Sequence, residues 1–247
     1  MSEVRFEGWG VSEVGRRANN EDAWLADPTL GLFVVADGMG GYEGGEIASR
    51  TVVSTLNHFF GRTRDTGLAD PTDGHAVARS RMDLAMRIAH REIMRQRVGH
   101  LAQMGSTAVA MLAHGDHMLV AHVGDSRLYR LREDRLDQLT RDHSLYSEMQ
   151  SAGLMALPGR HECGFSHVIT RALGAPGDSR ADLRVESVRP GDLFVLCSDG
   201  LTDAVSDEMI ELVATESPRA EVARTLADLA YRRGSSDNIT VVVASAS

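Results

Sequence analysis

Three apolar runs in this chain end on a carboxylate. Leu32-Phe33-Val34-Val35-Ala36 leads straight into Asp37-Gly38, and Leu193-Phe194-Val195-Leu196-Cys197-Ser198 leads straight into Asp199-Gly200. Met118 to Val123 leads into Gly124-Asp125. Further acids stand nearby: Glu21-Asp22 after Asn19-Asn20, Asp203 shortly after Asp199, and Asp237 just ahead of the apolar run Ile239 to Ala244. A strand delivers a side chain to a fixed point, and glycine beside it lets the backbone turn and bring a carbonyl close to a ligand. Acids crowded at strand ends repel one another unless a cation neutralises them. Hard divalent cations take oxygen ligands, and an all-oxygen octahedral set suits Mg²⁺ or Mn²⁺ rather than Zn²⁺. No HExxH or CxxC pair is present, so zinc has little support. Asp-Gly is also a common turn dipeptide. From residue types alone, the turn and ligand readings stand about level.

Composition narrows the chemistry further. The net charge is −9, and no basic stripe marks a nucleic-acid partner. All 26 basic residues are arginine, since the chain has no lysine. A P-loop and a protein-kinase site each need a lysine on the phosphates, and Schiff-base catalysis needs one as nucleophile, so all three are excluded. The two cysteines, Cys163 and Cys197, make no disulfide framework, and neither begins a Cys-x5-Arg loop. Ser126 in Gly-Asp-Ser invites an esterase reading, but that chemistry needs a late histidine base and no histidine follows His167. No apolar run approaches the roughly 20 residues of a membrane span, and the start carries no secretory signal. A reducing cytoplasmic setting is the expectation.

The elements that must position these acids follow from periodicity. Leu32–Ala36, Ser106–Leu112, Met118–Val123, Arg127–Leu131, Leu193–Cys197 and Ile239–Ala244 read as strands, with turns at 114–117 and 124–126. Gly45–Phe60, Ala76–Val98, Asp207–Ala214 and Arg219–Arg232 read as helices, and Gly61–Gly74 as a loop. From His143 to Pro190 the pattern weakens into a surface excursion, with a short helix over Ser144–Ala152 and the character of a lid. The layout is α+β, with helix pairs packed on antiparallel sheets.

Eight motifs, in order and spanning nearly the whole chain, resemble those of the protein phosphatase 2C (PPM) family, especially its compact bacterial members. They are Gly15-Arg16-Arg17-Ala18-Asn19-Asn20-Glu21-Asp22, Asp37-Gly38-Met39-Gly40-Gly41, Gly105-Ser106-Thr107-Ala108, Val123-Gly124-Asp125-Ser126-Arg127, Leu139-Thr140-Arg141-Asp142-His143-Ser144, Ile169-Thr170-Arg171-Ala172-Leu173-Gly174, Ser198-Asp199-Gly200-Leu201-Thr202-Asp203 and Ser236-Asp237-Asn238-Ile239-Thr240. Any one is weak; eight in register are very specific. The resemblance implies an αββα sandwich forming a single domain over residues 1–247, with a flap at about 143–182. It implies hydrolysis of phosphoserine and phosphothreonine by direct attack of a metal-bridging hydroxide, opposing bacterial Ser/Thr kinases.

The resemblance also assigns roles. Asp37 matches the carboxylate bridging two core Mn²⁺ or Mg²⁺ ions, with the Gly38 carbonyl on one of them. Asp199 and Asp237 match ligands of the other ion, and Glu21 and Asp22 match acids that bind or orient metal waters. Asp125, Asp199 and Asp203 match a third, weaker metal site, and Arg17 matches the arginine that grips the substrate phosphate. Arg17, Asp37 and Asp199 are thus the expected catalytic set. The expected partners are phosphorylated proteins and a cognate kinase, not nucleic acid or membrane, and the expected state is a monomer.

Two departures stand out. Many eukaryotic relatives carry a histidine, proposed as general acid, where this chain has Met39, which leaves a metal-bound water as the default proton source. The flap reads Gly164-Phe165-Ser166-His167-Val168 where relatives often have an Arg-Asn pair. His143 and His161 read as ordinary polar loop residues, and Cys197 as a small buried hydrophobe. A non-catalytic module on the same fold is disfavoured because every matched acid is present, and a small-molecule phosphatase remains for a substrate panel to separate.

Overall fold

The computed structural model describes residues 4–41, 43–63, 74–153, 163–165 and 167–247. The two strongest apolar runs lie at its centre. Strand β3 (Leu32–Met39) and, late in the chain, strand β10 (Leu193–Cys197) are continuous apolar runs because each is covered on both faces. Phe33, Val35, Phe194 and Leu196 face the space between two sheets, while Val34, Ala36, Val195 and Cys197 face helices.

The remaining elements, in chain order, are β1 (Phe6–Glu13), β2 (Asp22–Asp27), α1 (Gly44–Thr63), α2 (Gly74–Gln96), β4 (Gly105–Ser106), β5 (Ala108–His114), β6 (His117–Val123), β7 (Arg127–Arg132), β8 (Arg135–Gln138), α3 (Leu145–Ser151), β9 (Asp182–Ser187), α4 (Asp199–Thr202), α5 (Asp207–Glu216), α6 (Val222–Arg232) and β11 (Ile239–Ala246). One sheet runs β1-β11-β10-β7-β8; the other runs β2-β3-β5-β6-β9, with β4 on β3. Every named strand pairing is antiparallel. Helices α1 and α2 cover the second sheet through Leu56, Met82, Met86 and Ile93, and α5 and α6 cover the first through Ile210 and Leu226. The layers are therefore αββα, as the resemblance implied.

Several boundaries differ from the sequence reading for physical reasons. Helix α1 continues past Phe60 to Thr63, whose Oγ1 donates back to the Phe59 carbonyl. Residues 64–73 of the expected 61–74 loop lie outside the described residues, and Gly74 already opens α2. The strand read over Ser106–Leu112 breaks at Thr107, where its N–H bonds the Asp37 carbonyl and its hydroxyl accepts from the Asp37 N–H. The helix read from Arg219 begins at Val222, after a turn in which Glu221 N–H bonds the Pro218 carbonyl.

The largest correction concerns the excursion from His143 to Pro190. Its last part is a sheet strand, β9, paired with β6 from His117↔Ser187 to His122↔Asp182. The base of the expected flap is also tied down, by Ser144↔Ile169 and Ser106↔Leu173 bridges. Residues 154–162 and 166, including His161 and Ser166, lie outside the described residues. No helix among the described residues is long and apolar enough to cross a membrane.

Candidate metal centre

Antiparallel pairing brings the acid-bearing strand ends together. Asp22 opens β2 directly opposite Asp37 in β3. The end of β10 pairs with the start of β11, Cys197↔Val241, which sets Asp199 beside Asp237. Asp125 enters from the β6–β7 turn, where Gly124 has φ +105° and packs on Thr107, the residue that holds the Asp37 backbone.

Three glycines allow this crowding. A Cβ on Gly38 would lie 2.0 Å from the Gly45 carbonyl oxygen, and one on Gly45 would lie 2.6 Å from Glu21 Oε2. A Cβ on Gly200 would lie 1.9 Å from the Asn238 carbonyl oxygen. The Asp-Gly pairs are therefore sites of close backbone approach as well as turns.

The electrostatics match the crowding. Burial first, then repulsion from Asp22, Asp199, Asp125 and Asp237, raises the Asp37 carboxyl well above the usual range. Burial first, then Asp125, Asp203, Asp237 and Asp22, does the same to Asp199. Asp22 is pushed up to about 6, by burial and by Asp237 and Glu21, against hydrogen bonds from Thr240 and Ser198. The Oδ1 atoms of Asp22 and Asp199 are buried with no hydrogen-bond partner. Such atoms are costly in a folded chain unless something fills their lone pairs, and a divalent cation does so while removing the repulsion.

Glu21, Asp22, Asp37, Asp125, Asp199, Asp203 and Asp237 are thus all linked by contact or repulsion in one cluster, with the Gly38 backbone beside Glu21. They fit hard cations that keep several waters beside one or two carboxylates each. Arg17 stands at the rim, side chain 56% exposed, with Nη2 donating to Asp237 Oδ2 at 2.6 Å and Nε donating to the Ser236 carbonyl. Across from it, His167 Nδ1 lies 3.5 Å from Asp203 Oδ2. Met39 closes β3 against Gly105, and its thioether carries no proton to donate.

Sequence reasoning missed the residues that hold the acids in place. Asn238 joins three segments: its amide donates to the Val14 and Asn19 carbonyls and accepts from Glu21 N–H. Ser198 Oγ donates to Asp22 Oδ2 at 2.8 Å and accepts from Thr240 N–H. An amide or hydroxyl immediately beside each expected ligand was the available signal. His143 is not the ordinary loop residue expected. It is 5% exposed, stacks on His122 at 4.3 Å, and accepts the Gly124 N–H at Nδ1. Among the described residues, His122, His143 and Asp182 form the one trio of His, Cys, Asp or Glu ligand atoms within 4.8 Å of one another. His143 Nε2 lies 3.2 Å from Asp182 Oδ2 and 3.3 Å from Arg171 Nη1.

An acid cluster of this kind, held by strand ends of two antiparallel sheets within αββα layers, is an oxygen-donor site for hard divalent cations, and known proteins share this fold. The protein phosphatase 2C family profile matches residues 9–231, and the chain belongs to that family. It is 38% identical over 231 residues to the serine/threonine protein phosphatase PstP of Mycobacterium tuberculosis, covering 92% of this chain and 42% of that protein. The chain thus spans less than half the length of that relative. It is 29% identical over 246 residues to the protein phosphatase PhpP of Streptococcus pneumoniae, covering 95% of both. Among solved structures, the catalytic domain of PstP in complex with two manganese ions superposes with a TM-score of 0.85 at 34% identity, covering 98% of this chain and 99% of that one.

Proposed function

We propose that the chain is a metal-dependent protein serine/threonine phosphatase that hydrolyses phosphoserine and phosphothreonine in proteins, in the cytoplasm of a bacterium and opposite a Ser/Thr kinase. The observation that carries this reading is the convergence of six aspartates from five places in the chain, Asp199 and Asp203 sharing one short helix, on one cluster, with buried carboxylate oxygens of Asp22 and Asp199 left unbonded.

In this reading Asp37, the Gly38 carbonyl, Asp199 and Asp237 would together hold two Mn²⁺ or Mg²⁺ ions, with Asp37 shared between them, and Glu21 and Asp22 would orient water. Asp125, Asp199 and Asp203 serve a third ion. Bound together, such ions supply a water nucleophile of lowered pKa and a charge clamp for in-line displacement at phosphorus. The chain's own residues do the positioning. Thr107 fixes Asp37 through both backbone atoms, and Ser198 fixes Asp22. Arg17, already held by Asp237, keeps N–H groups on a fork suited to two phosphate oxygens. Catalysis of phosphoryl transfer is mainly this positioning and charge stabilisation.

The test is release of phosphate from phosphothreonine and phosphoserine peptides, with p-nitrophenyl phosphate and sugar phosphates in parallel. Turnover should need Mn²⁺ or Mg²⁺, stop with chelator, and fall about 10³-fold or more in Asp37→Asn. Ordinary turnover by Asp37→Asn would sink the metal assignment, and a preference for small esters over peptides would sink the protein-substrate assignment.

A further inference from the structure

The motif Leu139-Thr140-Arg141-Asp142-His143-Ser144 lends no acid to the cluster, yet it runs alongside the turn that carries Asp125. A series of contacts joins the two segments in antiparallel order. Leu139 N–H donates to the Leu128 carbonyl, and Leu128 N–H donates to Thr140 Oγ1. Arg127 makes its bidentate pair with Asp142. Beyond that pair, His143 N–H donates to the Gly124 carbonyl at 2.8 Å, and Gly124 N–H donates back to His143 Nδ1 at 3.1 Å. Both backbone polar groups of Gly124 are thus taken up by one residue.

Gly124 has little freedom to leave this hold. Its φ is +105°, and a Cβ there would lie 2.6 Å from Thr107 Cγ2. Two residues on, Ser126 Oγ lies 2.7 Å from Thr107 Oγ1, the hydroxyl that accepts from Asp37 N–H. Between these two fixed points stands Asp125, 1% exposed. His143 is itself held. Its ring is buried and stacked on His122, its carbonyl accepts Thr170 N–H at 2.9 Å, and Nε2 faces Asp182 and Arg171. Burial first, then Arg171, lowers its pKa against the pull of Asp182, so the ring is neutral near pH 7 and can offer Nδ1 as an acceptor.

We propose, on the reading that Asp125 helps to hold a third ion, that His143 is a positioning residue for that ion: by capturing Gly124 it fixes where the Asp125 carboxylate stands, and so sets the affinity of that site while contributing no ligand to it. Groups that orient a metal ligand from behind are worth about 10–100-fold in affinity.

The test replaces the two ring nitrogens separately. Asparagine places its carbonyl oxygen near the position of Nδ1, and glutamine places its amide near that of Nε2. His143→Asn therefore keeps an acceptor for Gly124 N–H, whereas His143→Gln strands that N–H and keeps a polar group toward Asp182. Mn²⁺ is titrated into the metal-free protein, with free Mn²⁺ read by electron paramagnetic resonance and melting followed by circular dichroism. Asp125→Ala identifies the binding event that belongs to Asp125. That event should weaken about tenfold or more in His143→Gln and stay within about threefold of wild type in His143→Asn, while the tighter events move by less than about threefold in both. Both variants lose the stacked ring and should melt at similarly lowered temperatures, so stability alone does not give this order. Equal weakening in the two variants, weakening of every event alike, or wild-type affinity in His143→Gln overturns the role given to His143. If Asp125→Ala itself weakens no event, the third-ion reading falls and the role of His143 falls with it.

Discussion

Ser198 shows how one hydroxyl supports a charged site. It gives its proton to Asp22 Oδ2 and takes the Thr240 N–H, so the ends of three strands depend on it. Replacing it with alanine leaves a buried N–H and a buried carboxylate oxygen without that partner, which costs about 1–3 kcal/mol each at most. Ser198→Ala should therefore lower the melting temperature and raise the Mn²⁺ concentration needed for half-maximal activity, with Ser198→Thr closer to wild type. Asn238→Ala should be worse, because Val14, Asn19 and Glu21 all lose their tether. A melting curve and a metal titration on each variant check the order. Asp22, Asp37, Asp125, Asp199 and Asp237 were legible as candidates because each stands at or beside the end of an apolar run, while Asp203, at the end of a short helix, was legible only through its motif. Ser198, Asn238 and Thr107 were not, because their worth comes from contact with segments far away in the chain.

At the scale of elements, the ion pair between Arg127 and Asp142 ties β7 to the segment that carries His143. Its bonds are bidentate, at 2.9 and 2.8 Å, and the side chains are 12% and 7% exposed. Asp142→Ala should cost about 3 kcal/mol, since it leaves a buried guanidinium with only the Tyr129 hydroxyl and a longer 3.6 Å contact to Asp207, whereas a surface pair such as Arg87–Asp83 should contribute under about 1 kcal/mol. Denaturant unfolding of both variants tests the contrast. Gly200→Ala should be similarly severe, because its Cβ would overlap the Asn238 carbonyl.

Strands covered on both faces were readable from sequence, and Leu193–Cys197 was bounded as observed. Strands β1, β2, β8 and β9 were not. Strand β9 is an edge strand of mixed exposure. Strand β1 holds Gly8 and Gly10, which look like breakers but leave room for the rings of Phe33 and Trp24.

At the scale of the molecule, the acid cluster makes stability depend on pH and metal together. Asp22 binds its proton more tightly folded, at about 6, than at the ordinary value of 3.8, and Asp37 and Asp199 shift the same way. The folded metal-free protein therefore holds more protons than the unfolded chain between those values, and it loses stability as pH rises through about 6. Metal reverses this, because it binds the ionised cluster. With chelator, the melting temperature should rise as pH falls through about 6 toward 3.8, the range in which folded Asp22 holds a proton that the unfolded chain does not. With metal at about 100 times its dissociation constant, it should rise by roughly 5–10 °C at about pH 8 and by much less at about pH 5. A metal-independent profile would exclude cation binding by the cluster.

Strand β11 lies between β1 and β10, and the residues just before it supply Asp237 and Asn238. During synthesis, then, the acids of β2, β3 and the β6–β7 turn leave the ribosome long before the strand that completes their setting. A nascent chain cannot complete the cluster until Asp237 and β11 have been made and the strand has inserted between β1 and β10. Assembly of the cluster is thereby timed by translation, and ribosome-stalled chains ending before Asp237 should lack the metal-dependent stabilisation that those extended past Ala246 by an exit-tunnel linker show.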